Sequence, residues 1–146
     1  MLTNLDENLG RLLAALDEWN LAGNTLVIFM TDNGTAGNGF NAGMRGRKGS
    51  PYDGGHRVPC FLRWPERWPQ PRAIAGLTAH IDVLPTLIEL CGLPQGDGMP
   101  FDGVSLRPIL DGEFAGAPDR TVFVEVNRVE HPVPWRLSSV LTPRYR

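Results

Sequence analysis

An uninterrupted apolar run directly ahead of a long glycine-rich loop is the feature that most constrains the fold. The run is residues 26–30 (LVIFM), and the loop is residues 31–55 (TDNGTAGNGFNAGMRGRKGSPYDGG). Short continuous apolar runs are typical of strands that are buried on both faces of a parallel sheet. In open α/β sheets, ligands bind beyond the carboxyl ends of such strands. The sequence therefore predicts a buried strand followed by a loop that can carry a binding site.

The composition indicates one globular domain with long loops. The chain has 146 residues, of which 42% are hydrophobic and 21% charged, while Gly 17 and Pro 13 favour loops over a helical bundle. A formal net charge of -2 argues against a nucleic-acid binder with a broad basic surface, so any anion site has to be local. No apolar run approaches the ~20 residues that a membrane span needs. The N-terminus is acidic and amphipathic and does not read as a signal peptide.

Helical and strand patterns alternate along the chain. Apolar residues from Leu2 to Trp19 recur every three or four positions and predict an amphipathic helix that ends at Gly23. A second helix is predicted from Asp82, as its N-terminal cap, to Cys91. A short turn is predicted at 105–110, with Ser105 as its cap, and further strands at 58–62, 121–126 and 135–141. This order of elements is typical of an α/β fold.

The two cysteines are both predicted to be small buried hydrophobic residues. Cys60 lies in VPCFL and Cys91 in LIELCGL. Neither belongs to a C-x-x-C metal-binding pattern.

Acidic and amide side chains begin the glycine-rich loop. Asp32 and Asn33 directly follow the predicted strand and offer hard oxygen ligands of the kind that Ca²⁺ or Mg²⁺ prefers. The sequence D-N-G is also common in tight turns. From spacing alone, a metal site and a simple turn both remain open.

Basic side chains lie further along the same loop. Arg45, Arg47 and Lys48 are interleaved with glycines, which let backbone N–H groups approach an anion such as sulfate or phosphate. The alternative is a solvated basic loop. Metal ligands followed by a lysine can together neutralise an oxyanion ester and its leaving oxygen.

Four segments in this order resemble the sulfatases of the alkaline phosphatase superfamily, in particular the arylsulfatase branch. They are VIFMTDNG, NAGMRGRKGSPYDGGHRVPCFLRWP, HIDVLPTLIELCGLP and DGVSLRPIL. The resemblance implies an α/β fold that is part of an alkaline phosphatase-like sandwich, incomplete here, with a mostly parallel sheet flanked by helices. It implies that residues 1–146 are a partial catalytic domain, without its N-terminal half and cut just after the C-terminal subdomain starts.

The resemblance also implies an activity and roles for individual residues. The family hydrolyses sulfate esters with a formylglycine nucleophile, made from a C/S-x-P/A-x-R motif, and with Ca²⁺. Carried over to this sequence, Asp32 and Asn33 would be Ca²⁺ ligands, and Lys48 would be a catalytic residue that contacts the sulfate. His56 could contact substrate or be a packed or solvent-facing histidine. Asp53, His80 and Asp82 are expected to be structural.

Several parts of the family pattern do not occur in this sequence. Neither Cys60 nor Cys91 begins a C-x-P/A-x-R motif, and the family's paired N-terminal aspartates are absent. The chain alone is therefore expected to be inactive, with an incomplete Ca²⁺ site and with the formylglycine in the missing half.

Alternatives and partners follow from the same resemblance. The chain could be a fragment of a phosphate or phosphonate monoester hydrolase of the same superfamily, or a non-catalytic remnant that binds a partner. The complete enzyme is expected to act on a sulfate ester. No nucleic-acid partner is expected. An incomplete sheet would expose an edge, so self-association is expected. Family members are often periplasmic or secreted.

Overall fold

The computed structural model describes residues 1–96, 98–113 and 119–145. A short 3-10 turn at His80–Asp82 directly precedes the helix Val83–Leu90. None of the described helices is long and apolar enough to cross a membrane. The chain divides into two compact units, Met1–Met30 with Pro59–Arg72 and Thr31–Val58 with Ala73–Arg146. The elements of the described residues are α1 Leu2–Glu18, β1 Val27–Met30, α2 Asp53–His56, β2 Cys60–Arg63, α3 Val83–Leu90, α4 Arg107–Asp111, β3 Val122–Glu125 and β4 Ser138–Leu141.

Helix α1 of the first unit ends earlier than the sequence analysis predicts. Asn20 adopts a left-handed conformation with φ of 55°. The N–H of Leu21 then donates to the carbonyl of Leu16 over 2.9 Å, which closes the last turn of the helix. The prediction that Gly23 ends α1 is therefore wrong, because asparagine also tolerates this conformation. Gly23 has a different constraint, since a Cβ there would lie 2.3 Å from the carboxylate of Glu66.

Strands β1 and β2 pair in the first unit, but in the antiparallel direction. Val27 lies opposite Arg63, and Met30 lies opposite Cys60. Strand β1 is only half-buried, and its last residue, Met30, is exposed. Both strands were predicted, whereas the prediction of a parallel, doubly buried strand is wrong for the described residues. A continuous apolar run reports hydrophobicity on both faces and does not encode the direction of the neighbouring strand.

Both cysteines are exposed free thiols, so the prediction that they are buried is wrong. Cys60 begins β2, whose first two residues are exposed. Cys91 directly follows α3, where the chain turns through Gly92 at φ of 61°. Apolar neighbours in the sequence therefore did not indicate burial for either cysteine.

The second unit has a small apolar core beside its own antiparallel pair, β3 and β4. Val122 lies opposite Leu141, and both are buried together with Leu77. Ala79 and Val124 pack against this cluster. The described residues thus contain two separate two-stranded antiparallel sheets, one in each unit.

A buried ion pair organises the segments around α3. The side chain of Asp82 is fully buried, and its carboxylate accepts N–H groups from Ala79 at 2.7 Å and Val104 at 3.0 Å. The same carboxylate receives two hydrogen bonds from the guanidinium of Arg120, one of 2.7 Å from Nη1 and the other from Nη2. Asp82 is the N-cap residue of α3, as predicted, but its side chain makes no capping bond to that helix. Its expected structural role is confirmed, because a buried carboxylate needs this full set of donors.

The predicted short turn after Ser105 is helix α4. The Ser105 hydroxyl accepts the N–H of Arg107 over 3.2 Å, but the N-cap residue of α4 is Leu106, so the prediction that Ser105 is the cap is wrong by one position. The helix ends at Asp111, and its C-cap residue, Gly112, adopts φ of 84°.

Candidate functional site

Two backbone hydrogen bonds bring distant parts of the glycine-rich loop together. The N–H of Gly34 donates to the carbonyl of Gly55 over 3.0 Å, and the N–H of Lys48 donates to the carbonyl of Thr35 over 3.0 Å. The Asp-Asn-Gly turn therefore lies between the lysine segment and α2, although the sequence separates all three. The loop has a defined backbone structure of its own.

Glycines make this close backbone approach possible. A Cβ on Gly34 would lie 1.9 Å from the carbonyl oxygen of Gly54. A Cβ on Gly54 would in turn lie 2.2 Å from the carbonyl oxygen of Gly46. The N–H of Gly54 donates to the backbone carbonyl of Arg45 over 2.8 Å. Side chains are excluded sterically at these positions, whatever their polarity. Gly34 and Gly54 are therefore required by the backbone packing of the loop.

The two predicted metal ligands, Asp32 and Asn33, have oxygen atoms that are available for binding. Asp32 is exposed and Asn33 is half-buried. The amide nitrogen of Asn33 donates to the carbonyl of Gly34 over 3.2 Å, which assigns its oxygen as the free end. Within the described residues, neither the Asp32 carboxylate nor Oδ1 of Asn33 has a hydrogen-bond or ion-pair partner.

These two donors fit calcium chemistry but do not complete a site. Ca²⁺ takes six to eight oxygen ligands, and adjacent carboxylate and amide oxygens are of the right type. In the part of the chain that the structure describes, no three or more His, Cys, Asp or Glu residues form a metal-binding group. Asp32 and Asn33 can therefore supply only a fraction of a coordination shell.

Lys48 is an exposed cation of the loop. Its ammonium has no hydrogen-bond or ion-pair partner among the described residues. It lines a cavity of about 550 Å³, together with Asn41, Gly43, Met44, Gly46, Arg47, Gly49 and Ser50. The backbone on either side is braced, because Arg47 N–H donates to the Ser50 hydroxyl over 3.1 Å. A fixed backbone with a free ammonium is suited to binding an anion.

Arg45 differs from the other two basic residues of the predicted cluster. Its guanidinium donates to the hydroxyl of Tyr52 over 2.8 Å and lies 3.7 Å from the centre of the same ring. This pairing holds Arg45 to the segment before α2. Arg47 and Lys48 are therefore the cations of the cluster that line the cavity.

His56 and Asp53 both belong to α2, a short helix that the sequence analysis does not predict. Nε2 of His56 lies 3.2 Å from the carbonyl of Pro51, and this is a hydrogen bond when that nitrogen carries the proton. The carboxylate of Asp53 pairs with Arg57, one turn later, at 3.5 Å. Asp53 thus has the structural role expected of it. His56 is half-buried and keeps Nδ1 for another contact.

Two arginines at the site are absent from the sequence analysis. A second cavity, of about 340 Å³, is lined by Lys48, Gly49, Val126, Arg128, Arg136 and Leu137. Arg128 and Arg136 lie in the connection between β3 and β4, far along the chain from Lys48. No spacing in the sequence connects them to the loop, and only the fold of the second unit brings them to the same cavity.

Comparison with known proteins connects this loop to a family. A model of the sulfatase family matches residues 1–93, which is more than half of the chain. Mouse steryl-sulfatase is 35% identical over 147 residues, covering 94% of this chain and 24% of that protein. Human arylsulfatase A is 36% identical over 116 residues, covering 76% of this chain and 22% of that protein. The chain thus spans about a quarter of the length of these curated relatives.

The fold is similar to that of solved structures as well. The crystal structure of Ps i-CgsB in complex with k-i-k-neocarrahexaose superimposes with a TM-score of 0.74 and 29% identity, covering 84% of this chain and 28% of that one. The similarity therefore extends beyond residues 1–93 to most of the chain. On the strength of the family match and these relatives, the chain belongs to the sulfatase family.

Proposed function

We propose that this chain is part of the catalytic domain of an enzyme that hydrolyses sulfate esters, with Lys48 as the residue that contacts the sulfate. The observation that carries the proposal is the hydrogen bond from Lys48 N–H to the Thr35 carbonyl, because it holds the lysine segment beside the Asp-Asn-Gly turn. Since the chain spans about a quarter of its relatives, the rest of the site would come from residues outside this sequence.

Lys48 has the chemistry for two tasks in ester hydrolysis. Its ammonium is a mobile point charge that can donate hydrogen bonds to the sulfate oxygens. The same charge can stabilise the negative charge that develops on the bridging oxygen when the sulfur–oxygen bond breaks. Both tasks require an ammonium that no other group of the protein binds. The Lys48 ammonium has no such partner within the described residues.

Asp32 and Asn33 are proposed as two of the oxygen ligands of a Ca²⁺ ion. When bound, such an ion neutralises charge on the sulfate. The free carboxylate of Asp32 and the free Oδ1 of Asn33 support this role, and the remaining ligands would come from outside the described residues. The sequence contains no C/S-x-P/A-x-R motif, so a formylglycine nucleophile would also come from elsewhere.

His56 is proposed as an additional substrate contact. The contact of its Nε2 with the Pro51 carbonyl fixes the ring on α2. The other ring nitrogen, Nδ1, then accepts a hydrogen bond when Nε2 is protonated. This tautomer suits a substrate hydroxyl, which donates, and does not suit a sulfate oxygen.

The names of the relatives point to different substrates. They include a steryl-sulfatase, an arylsulfatase and a structure with a bound neocarrahexaose. The similarity alone therefore supports a sulfate ester as the substrate class and does not select among these compounds.

The test of Lys48 is an anion titration followed by nuclear magnetic resonance. In the ¹⁵N-labelled 146-residue chain, inorganic sulfate is expected to shift the amide signals of Lys48 and Gly49. Lys48→Gln should abolish these shifts, while Arg11→Gln, which removes an exposed charge on α1, should retain them. Shifts that survive Lys48→Gln, or that fall only elsewhere, would overturn the assignment. Stronger shifts with inorganic phosphate would favour a phosphate ester hydrolase.

A further inference from the structure

The cavity that Lys48 shares with the β3–β4 connection is lined by three cations. Arg128 and Arg136 are both exposed, and they border the same space of about 340 Å³ as the lysine. None of the described residues that line it is acidic. This volume is many times the roughly 30 Å³ that a water molecule occupies in the liquid, so a sulfate or carboxylate group fits.

These cations lack the partners that other arginines of the same unit have. Within the described residues, the side chains of Lys48, Arg128 and Arg136 make no hydrogen bond, ion pair or ring contact. By contrast, Arg107 pairs with Glu89 and Asp111, and Arg120 is held by Asp82. Three unpaired cations therefore line the cavity, whereas acids neutralise Arg107 and Arg120.

The nearest acid along β3 is already engaged. Glu125 is the last residue of β3, and its carboxylate accepts a hydrogen bond from Asn127 over 3.2 Å. Glu125 does not line the cavity. Like charges that share a cavity repel one another, and a bound anion relieves that repulsion.

Hydrogen bonds hold the connection that carries both arginines. Val126 N–H donates to the carbonyl of Leu137 over 3.2 Å, which extends the pairing of β3 with β4. The amide of Asn127 and the N–H of Arg136 both donate to the carbonyl of Val133, over 3.4 Å and 3.2 Å. The backbone beside the cavity is therefore tied across the connection.

The backbone around Arg136 is also strained. Trp135 and Leu137, which flank it, adopt positive φ values of 64° and 49°. Residues with large side chains rarely take this conformation, and it persists only where surrounding structure enforces it. Such strain occurs preferentially at binding and catalytic sites, which agrees with a functional position for Arg136.

We propose that Lys48, Arg128 and Arg136 form a subsite for a second anionic group of the substrate. This inference rests on the proposed function, because Lys48 also lines the larger cavity and would contact the sulfate of the ester there. The substrate is then a sulfate ester of a molecule that carries at least one more sulfate or carboxylate. A neutral sterol or a simple aryl group leaves the two arginines without a partner.

The experiment compares two probes on the full 146-residue chain by calorimetry. Cellobiose with one sulfate on each ring tests the subsite, and cellobiose with a single sulfate is the reference. Each of the variants Arg128→Gln and Arg136→Gln is expected to weaken binding of the disulfated probe about threefold to tenfold, as for exposed charged contacts. Binding of the monosulfated probe should be unchanged in both variants.

Matched variants separate specific from general effects of charge. Arg11→Gln and Arg144→Gln each remove one exposed positive charge outside the cavity and should leave the affinity for both probes unchanged. Arg128→Lys and Arg136→Lys keep the charge and should keep most of the affinity. A disaccharide with one sulfate and one carboxylate shows which second anion is preferred.

The outcomes distinguish this inference from the proposed function. If Lys48→Gln weakens both probes while Arg128→Gln and Arg136→Gln weaken neither, the subsite is wrong and the role of Lys48 stands. If the arginine variants weaken only the disulfated probe while Lys48→Gln affects neither probe, the arginines bind an anion but the role of Lys48 is wrong. Equal affinity of the unaltered chain for both probes, or no binding of the disulfated probe, overturns the subsite.

Discussion

The backbone N–H of Lys48 donates a 3.0 Å hydrogen bond to the carbonyl of Thr35. The lysine segment is thus held beside the Asp-Asn-Gly turn by main-chain atoms and not by the lysine side chain. Substitution of the side chain should leave this connection intact. We expect Lys48→Gln to change the free energy of unfolding by less than about 0.5 kcal/mol, as for surface positions, while sulfate binding is lost.

Urea denaturation of Lys48→Gln beside the unaltered chain checks this separation of binding and stability. Arg47→Gln, the neighbouring exposed residue, is the control for a change of charge in the same loop. A large loss of stability in Lys48→Gln would show that the ammonium supports the fold and would contradict a free ligand-binding role.

The close backbone contact at Gly34 leads to a second prediction. Because an added Cβ would lie 1.9 Å from the carbonyl oxygen of Gly54, Gly34→Ala forces two backbone segments apart. We expect a loss of roughly 3 kcal/mol in the free energy of unfolding, in the upper range for overpacked sites. The same separation should weaken sulfate binding, because Gly34 lies next to Thr35, which holds the Lys48 segment.

The control for Gly34→Ala is Gly96→Ala in the same unit. A Cβ at Gly96 meets no atom within 4 Å, and its φ is not positive, so the substitution should be neutral or slightly stabilising. Equal stabilities of the two variants would mean that the contact between Gly34 and Gly54 relaxes without cost.

The sequence places the candidate site in the glycine-rich loop, but it does not predict the internal structure of that loop. The order of the polar residues after the strand indicated that Asp32, Asn33 and Lys48 belong together, and backbone hydrogen bonds place Lys48 next to the turn. Helix α2 was missed because its residues, DGGH, have low helix propensity. The tertiary contacts of Gly54 and Gly55 override that propensity, since both are buried against the loop.

The buried pair of Asp82 and Arg120 leads to a prediction about stability. The Asp82 side chain is fully buried, and the Arg120 side chain is 13% exposed. Asp82→Asn removes the charge that compensates the guanidinium, so we expect a loss of about 3–5 kcal/mol in the free energy of unfolding. Thermal and denaturant unfolding of the variant measure this loss.

A surface pair is the control for the buried one. Asp17 pairs with Arg63 at 3.6 Å, with side-chain exposures of 61% and 39% for Asp17 and Arg63. Asp17→Asn should therefore change stability by at most ~1 kcal/mol. The double variant Asp82→Asn with Arg120→Gln should recover part of the loss, because it leaves no unpaired charge. A mild effect of Asp82→Asn alone would contradict an organising role for this pair.

Asp82 and the β3–β4 connection show why part of the structure lay beyond sequence reasoning. An aspartate before a helix predicts a local cap, yet Asp82 binds Arg120, which lies far along the chain. Similarly, Arg128 and Arg136 reach the cavity of Lys48 only through the pairing of β3 with β4. Sequence periodicity reports local structure, whereas these contacts depend on which distant segments meet.

We expect Glu89 to make the stability of the chain depend on pH in the acidic range. The hydroxyl of Ser105 and, to a lesser extent, the guanidinium of Arg107 hold the pKa of Glu89 below its ordinary value. A carboxyl with a lowered folded-state pKa contributes stability above its unfolded pKa and loses that contribution as the pH falls through the folded pKa. This loss therefore begins below about pH 4.3, the ordinary pKa of glutamic acid.

Unfolding midpoints measured from pH 6 down to about pH 3 test this dependence, since that range spans the ordinary pKa of a glutamic acid. Glu89→Gln should lose less stability on acidification than the unaltered chain, because its side chain does not titrate. Glu130→Gln, at an exposed residue, should follow the unaltered chain. Identical acid profiles of Glu89→Gln and the unaltered chain would show that Glu89 has the same pKa in the folded and unfolded states.

Asp32 and Asn33 lead to a prediction about Ca²⁺ binding by this chain alone. Two oxygen donors fall well short of the six to eight that Ca²⁺ prefers. We therefore expect calorimetry to find Ca²⁺ binding weaker than about 100 μM, below the affinity of dedicated sensor sites. Micromolar binding that Asp32→Asn abolishes would mean that this sequence holds a complete site.

Catalysis by the isolated chain has a stricter requirement than metal binding. Without a C/S-x-P/A-x-R motif, the sequence has no precursor of a formylglycine nucleophile, and an ammonium such as Lys48 stabilises charge without attacking the ester. The purified chain should therefore release no 4-nitrophenol from 4-nitrophenyl sulfate above the buffer rate, with or without Ca²⁺. Lys48→Ala, prepared in the same way, reports any contaminating sulfatase, because contaminant activity would be equal in both preparations. Turnover that disappears in Lys48→Ala would instead show that these 146 residues contain a complete catalytic site with a different nucleophile.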